Sequence, residues 1–390
     1  MQGALDTLFR CDALLDYLFQ GTRKTGLLAD FTARTGMRKW TLDRLISLPF
    51  PSPSALVFAQ SKLPSAAERH IVMNRRTFFE KSTAALLASG AAAISATAEP
   101  QEQTDTTRFF PPGFKAMKVQ TSGATINLVT GGEGPPLLLL HGAPFTHVAW
   151  RLVAPDLAKR YTIVAPDLRG YGDSSKPPDG EKHSNYSKRA MALDQVEVMK
   201  HFGFNSFPVV GHDRGGRVAH RLALDHPDKV TRVAVLDIVP THYLYTHVTI
   251  DFVQSYFHWF NYLRPAPGPE NELKAANDAA AARATTDIQK EYSRAQRDPA
   301  NIHGMCEDYR AGASIDLEHD KADLDKKNKI RCPLLTLWAE RGAMGRLYDV
   351  IAVWKEYAIT VSGKALPGGH NLQEDSPKEV LAELLSFLKG

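Results

Sequence analysis

The chain has 390 residues, 43% of them hydrophobic and 23% charged, enough apolar content to bury a large core and form one large domain with an insertion. Its formal charge of +4 comes from 47 basic and 43 acidic residues scattered along the sequence without the Lys/Arg stripe a nucleic-acid surface needs, so no nucleic-acid partner is expected. The three cysteines, Cys11, Cys306 and Cys332, lie too far apart for a metal motif or a disulfide framework, and buried free thiols are expected.

Residues 1–72 carry scattered Arg, Leu and Pro with no sustained helical or strand period. From Met73 the order changes: Arg75-Arg76-Thr77-Phe78-Phe79, an apolar small-residue run over 82–93, then Ala96-Thr97-Ala98. Paired arginines, a run too short to span a bilayer and a small-x-small site have the layout of a twin-arginine export signal over 73–98, cut before Glu99. An Ala-rich helix that follows two arginines is the plainer alternative. Such signals act at a chain's start, so translation is expected to begin at Met73, with 1–72 an upstream extension. The product would then meet the twin-arginine machinery transiently and end periplasmic or secreted, with no stable membrane anchor; otherwise it stays cytoplasmic.

A polar linker over 99–109 leads into apolar runs that alternate with helix-period segments, the pattern of an α/β class with a mostly parallel, helix-covered sheet. Buried strands are expected over 136–140, 161–166, 207–210, 233–237 and 333–338. A helix over 187–201 places Ala190, Met191, Leu193, Val196, Val198 and Met199 largely on one face. Between 240 and 328 the rhythm breaks into aromatic clusters and an Ala-rich helix over 270–283. That stretch reads as a helical cap inserted between two core segments, 110–239 and 329–390.

Val209-Val210-Gly211-His212-Asp213-Arg214-Gly215-Gly216-Arg217 follows a strand and opens a helix, in the Gly-x-nucleophile-x-Gly form of a nucleophile elbow with Asp at the centre. Small residues at Gly211 and Gly215 let the turn form and push the Asp213 carboxylate out at the carboxyl edge of the sheet. A carboxylate nucleophile forms an ester that a second group must break with water. His370, after Gly368-Gly369 and before the C-terminal helix, stands where that base belongs. Its acid partner is either Asp237 or Glu340, both at strand ends, and spacing does not choose between them. The backbone amides of Ala143 and Arg214 are placed to form an oxyanion hole, whereas the charged residues over 167–174 brace loops.

With these residues in place, the stretch from 141 to 390 resembles the haloacetate (fluoroacetate) dehalogenases of the α/β-hydrolase superfamily. The shared blocks are His141-Gly142-x-Pro144, 167–175, 183–187, 211–217, 236–241, His258-Trp259-Phe260 and Cys306-Glu307-Asp308-Tyr309-Arg310. The resemblance implies the α/β-hydrolase fold with an inserted helical cap. It also implies that Arg214 and Arg217 bind the substrate carboxylate and that His258, Trp259 and Tyr309 cradle the departing halide. It favours Asp237 as the partner of His370. The implied reaction opens a 2-haloacid such as haloacetate to glycolate and halide through an ester on Asp213, with water as co-substrate and neither metal nor organic cofactor.

Ala143 and Phe145 depart from the residues relatives show after His-Gly, and the cap segment before Cys306 looks short. Two other readings stay open: an epoxide or ester hydrolase on the same scaffold, and a non-catalytic ligand-binding protein that kept the fold. A homodimer is also left open.

Overall fold

A computed structural model describes residues 105–389; the expected export signal, the upstream extension, Cys11 and the first half of the linker lie outside them. The described residues build one eight-stranded sheet: β1 (Lys115–Gln120), β2 (Thr125–Gly131), β3 (Pro136–Leu140), β4 (Thr162–Pro166), β5 (Phe207–His212), β6 (Val230–Leu236), β7 (Leu334–Ala339) and β8 (Val361–Leu366). Their order is β1-β2-β4-β3-β5-β6-β7-β8, antiparallel for β1/β2 and β2/β4 and parallel from β4 to β8.

The central strands are apolar on both faces because both are covered, and the period of two divides their side chains between two cores. Leu138, Leu140, Val209 and Val233 enter one core, and Leu137, Leu139, Val210 and Ala234 the other. All five strands expected from apolar runs are present. β5 continues through Gly211 and His212, and β6 starts earlier than expected at Val230 and stops one residue before Asp237.

β1 and β2 were not legible as strands. β1 is an edge strand with only Val119 buried, so its sequence lacks a marked apolar face. The expected linker also reaches further into the fold than its polarity suggests: Thr106 is buried, and its hydroxyl lies 3.0 Å from Nε2 of His147.

Helix α1 (Lys188–His201) starts on Ser187, whose hydroxyl accepts from the Ala190 amide. One expected member of its buried face is wrong. Leu193 is 41% exposed, two residues and so about 200° round the helix from buried Met191. Asp194 is buried instead, taking Arg169 Nε at 2.5 Å and the Thr121 hydroxyl at 2.6 Å. Helix α2 (Asp213–Asp225) leads away from β5.

Between β6 and β7 come α3 (Thr241–Thr246), α4 (Ile250–Ser255), α5 (Phe257–Asn261), α6 (Gly268–Ala281), α7 (Asp287–Arg297), α8 (Pro299–Gly312) and α9 (Ile315–Asp325). The Ala-rich segment is α6, shifted two residues toward the N-terminus at each end. α7 opens with a reciprocal cap between Thr286 and Gln289 and is tied to the sheet domain by Arg294, which meets Asp173 with two nitrogens at 2.9 and 3.0 Å.

The elbow is held by backbone packed on backbone. A Cβ at Gly215 would lie 2.4 Å from the carbonyl oxygen of His141 and 2.5 Å from that of Leu140, so β3 and α2 touch without a side chain between them. We expect Gly215→Ala to cost about 3 kcal/mol, read as a lower urea midpoint. An unchanged midpoint would show that the two backbones are free to separate.

Candidate active site

Four loops leave the carboxyl ends of parallel strands on the same side of the sheet and supply the site: Ala143 after β3, Asp213 after β5, Asp237 after β6 and His370 after β8. This is the arrangement that open α/β sheets use for ligands.

Asp213 has φ +45°, a left-handed conformation that non-glycine residues adopt only under constraint. The glycines beside it are the reason it can do so. A Cβ at Gly211 would lie 2.4 Å from the Gly215 carbonyl oxygen, and one at Gly142 would lie 2.7 Å from the Asp213 Cβ. The carboxylate is buried, and the Ala143 amide donates to its Oδ2 at 3.0 Å. Burial alone would raise its pKa. The positive charges of His370, Arg217 and Arg214 outweigh that and hold the carboxyl below its ordinary value, so it is ionised at neutral pH.

His370 Nδ1 lies 2.6 Å from Oδ2 of Asp237. Asp237 is buried, has φ +53°, and accepts the Ala339 amide on Oδ1 at 2.9 Å. Glu340 is exposed and its amide bonds the Leu366 carbonyl, so geometry selects Asp237 as the acid beside the histidine. Desolvation pulls the His370 pKa down, but the Asp237 hydrogen bond and the charges of Asp213 and Asp237 reverse this, leaving it above the usual imidazole value.

Arg214 and Arg217 are both buried beside the elbow. Arg217 Nη1 donates to the Val239 carbonyl and the Thr241 hydroxyl, each at 3.0 Å. Trp259 packs against both guanidiniums, 5.6 Å from the Cζ of Arg214 and 4.6 Å from that of Arg217. Buried Tyr309 stacks 4.3 Å from Arg214 and meets Trp259 edge-on at 5.6 Å. His258 is the outermost of the three aromatics: it is exposed, with its ring 6.1 Å from that of Tyr309. The structure therefore brings Asp213, His370, Asp237, Ala143, Arg214, Arg217, Trp259 and Tyr309 together, with His258 at the rim.

Asp167 braces loops. It takes the His147 amide at 2.8 Å, His147 Nδ1 at 2.7 Å and Asn127 Nδ2 at 2.9 Å.

Two participants escaped the sequence reading. His212 donates from Nε2 to the carbonyl of His370 at 2.8 Å, while its Nδ1 faces Gln373 Nε2 at 3.2 Å, so a neutral ring pins the His370 loop. Burial holds its pKa at about 4, consistent with that tautomer. Asp308 is the second: it is buried and ion-paired with Arg214 at 2.6 Å. It stood in the block that carried Tyr309, but a helical Asp gives no sign of being buried.

Among the described residues, Asp179, His303 and Glu307 bring possible metal-ligand atoms within 4.8 Å of one another. Both His303 ring nitrogens already face carboxylates, Asp179 at 2.9 Å and Glu270 at 3.2 Å, and Arg310 Nη1 bridges Glu270 and Glu307. This is an ion-pair cluster with its own cation, and a second cation fits it poorly.

The alpha/beta hydrolase fold family model matches residues 135–377, and the chain belongs to that family. Within it, the chain is 44% identical over 288 residues to the fluoroacetate dehalogenase of Burkholderia sp, covering 71% of this chain and 94% of the relative. A soluble epoxide hydrolase of Corynebacterium sp. (strain C12) is 33% identical over 286 residues, covering 68% and 94%. A crystal structure of an alpha/beta hydrolase from Nostoc sp PCC 7120 superposes with a TM-score of 0.67 at 51% identity, covering 70% of this chain and 98% of that one. The chain is a hydrolase-family enzyme, and a non-catalytic role loses its ground.

The contact between His370 and Asp237 predicts a titration. The His370 imidazole should titrate above the ordinary histidine value in the native protein, and Asp237→Asn should move it down by about one unit or more. Carbon-bound proton shifts of the ring followed against pH measure both. An unmoved pKa in the variant would show that Asp237 does not govern the ring.

Proposed function

We propose that this enzyme hydrolyses the carbon–halogen bond of a short 2-haloacid such as haloacetate, giving the hydroxy acid and halide. One observation carries the reading: beside the buried carboxylate of Asp213, two buried arginines each keep a nitrogen with no acceptor in the protein, Nη1 of Arg214 and Nε of Arg217. A buried N–H left unpaired costs about 1–3 kcal/mol, a cost that a bound carboxylate removes. Relatedness to a fluoroacetate dehalogenase supports the same substrate class.

In this mechanism Asp213 attacks through Oδ1, since Oδ2 is held by the Ala143 amide. Oδ1 forms a bond to the halogen-bearing carbon, the carbon–halogen bond breaks, and halide leaves with the electron pair. His258, Trp259 and Tyr309 stabilise it with N–H and O–H donors. His370, its Nδ1 occupied by Asp237, takes a proton from water on Nε2. The resulting hydroxide adds to the Asp213 carbonyl carbon, and the oxyanion develops on Oδ2, where the Ala143 amide already points, with the Arg214 amide as second donor. Collapse breaks the bond between the Asp213 carbonyl carbon and Oδ1 and releases glycolate, which takes up the proton from His370, while the restored Asp213 carboxyl loses the second water proton to solvent.

A second reading has its own support: the soluble epoxide hydrolase relative, and a buried Tyr309 whose hydroxyl would serve an opening epoxide as an acid.

Purified enzyme should release halide from fluoroacetate or chloroacetate, and Asp213→Asn should abolish it. Diol from an epoxide with no halide from either acid would select the second reading. Arg214→Lys should raise KM and lower kcat, together about a hundredfold in kcat/KM, since a point charge replaces a planar donor. Because His370 must be neutral to act as base, kcat should fall as pH drops through its raised pKa, and Asp237→Asn should shift that acid limb to lower pH. An acid limb that stays in place would remove His370 from the role.

A further inference from the structure

The guanidinium of Arg214 is seated by a single turn of α8. Its Nε donates to Oδ2 of Asp308 at 2.9 Å, and its Nη2 donates to Oδ1 at 2.6 Å and to the Asp308 carbonyl at 2.7 Å. Tyr309, the next residue, covers one face of the group. Gly312 leaves the room it needs, since a Cβ there would come within 3.1 Å of Nη2. Two of the three guanidinium nitrogens are thus occupied by one residue, and Nη1 remains.

Asp308 is itself fixed from behind. The Tyr171 hydroxyl donates to its Oδ2 at 2.7 Å, and Lys188 Nζ contacts its Oδ1. Lys188 is held in turn by Asp316, which accepts the Lys188 amide at 2.8 Å and has its Oδ2 3.6 Å from Nζ. All five side chains are buried, so the carboxylate lies between two cations in a low-dielectric interior with little freedom to turn.

We propose that Asp308 is the positioning residue for substrate recognition: by occupying Nε and Nη2 it turns Arg214 from a fork into a single-ended donor, Nη1, aimed at one oxygen of the substrate carboxylate. The inference rests on the haloacid reading above and sharpens it. Arg217 has its own Nη1 tied to Val239 and Thr241, and it offers Nε to the other oxygen. The carboxylate is then bridged between two arginines, one contact from each. The alternative, a bidentate pair with Arg214, is blocked by Asp308.

The test is calorimetric binding of acetate, an unreactive carboxylate, with acetamide as its neutral counterpart. The native enzyme should prefer acetate. Asp308→Asn, and also Asp308→Glu, which keeps the charge but moves it by a methylene, should each weaken acetate about tenfold or more and leave acetamide unchanged. The glutamate variant carries the test if the asparagine variant does not fold. In an Arg214→Met background, Asp308→Asn should add less than about twofold, because the two residues act as one unit.

Acetate affinity within about twofold of native in a folded Asp308 variant, or fully additive losses in the double variant, would overturn the proposal. So would a native enzyme that does not prefer acetate. Acetate preference without halide release would leave the positioning claim standing and reject the dehalogenation chemistry.

Discussion

The Asp213 carboxylate sits buried at the carboxyl edge of the sheet, where taking a charge out of water costs several kcal/mol unless neighbouring charges and donors replace the lost hydration. Its surroundings meet that demand from one side with the Ala143 amide and from the other with Arg214, Arg217 and His370. The same groups that keep it ionised are those a haloacid reaction needs, for holding an acid substrate and for breaking the ester. In the proposed reaction, a nucleophile dependent on cations for its own charge would thus have the substrate-binding cations beside it. The arginines raise the same problem again, and Asp308 answers it for Arg214, with Lys188 and Tyr171 behind.

The backbone contributes as much as the side chains. Asp213 and Asp237 are both held at positive φ at strand ends. At Asp213, glycines in the elbow and in the loop after β3 allow the backbones to approach closely. Such strain persists only where the surrounding packing over-determines it, and here that packing is β3 against α2. His212 extends the same device, since its ring bonds the carbonyl of His370 and so sets the spacing between Asp213 and His370 from within the elbow.

How much was legible in the sequence follows from which residues carry local signals. The elbow was readable because glycines at fixed offsets around Asp213, between an apolar strand and a helix, have few other uses. The five central strands were readable because burial on both faces leaves unbroken apolar runs. β1 was not, because an edge strand exposed on most of its length has no such run. Leu193 is hydrophobic but lies at the wrong angle for the buried face, which accepts Asp194 since Arg169 and Thr121 meet it there. Spacing did not separate Asp237 from Glu340, as both follow strands in sequence; the family resemblance favoured Asp237, and in the fold it is Asp237 that faces the ring. Asp308 and His212 were illegible for the same reason: their roles are set by partners 94 and 158 residues away.

The proposed reaction turns on Asp213, rather than water, making the first bond to carbon. A single turnover of haloacetate by excess enzyme in water enriched in heavy oxygen tests this directly by mass spectrometry of the product and of the peptide that contains Asp213. Attack by Asp213 gives glycolate free of solvent oxygen and leaves heavy oxygen in the Asp213 carboxylate. Solvent oxygen in the glycolate, with an unlabelled Asp213, would contradict it.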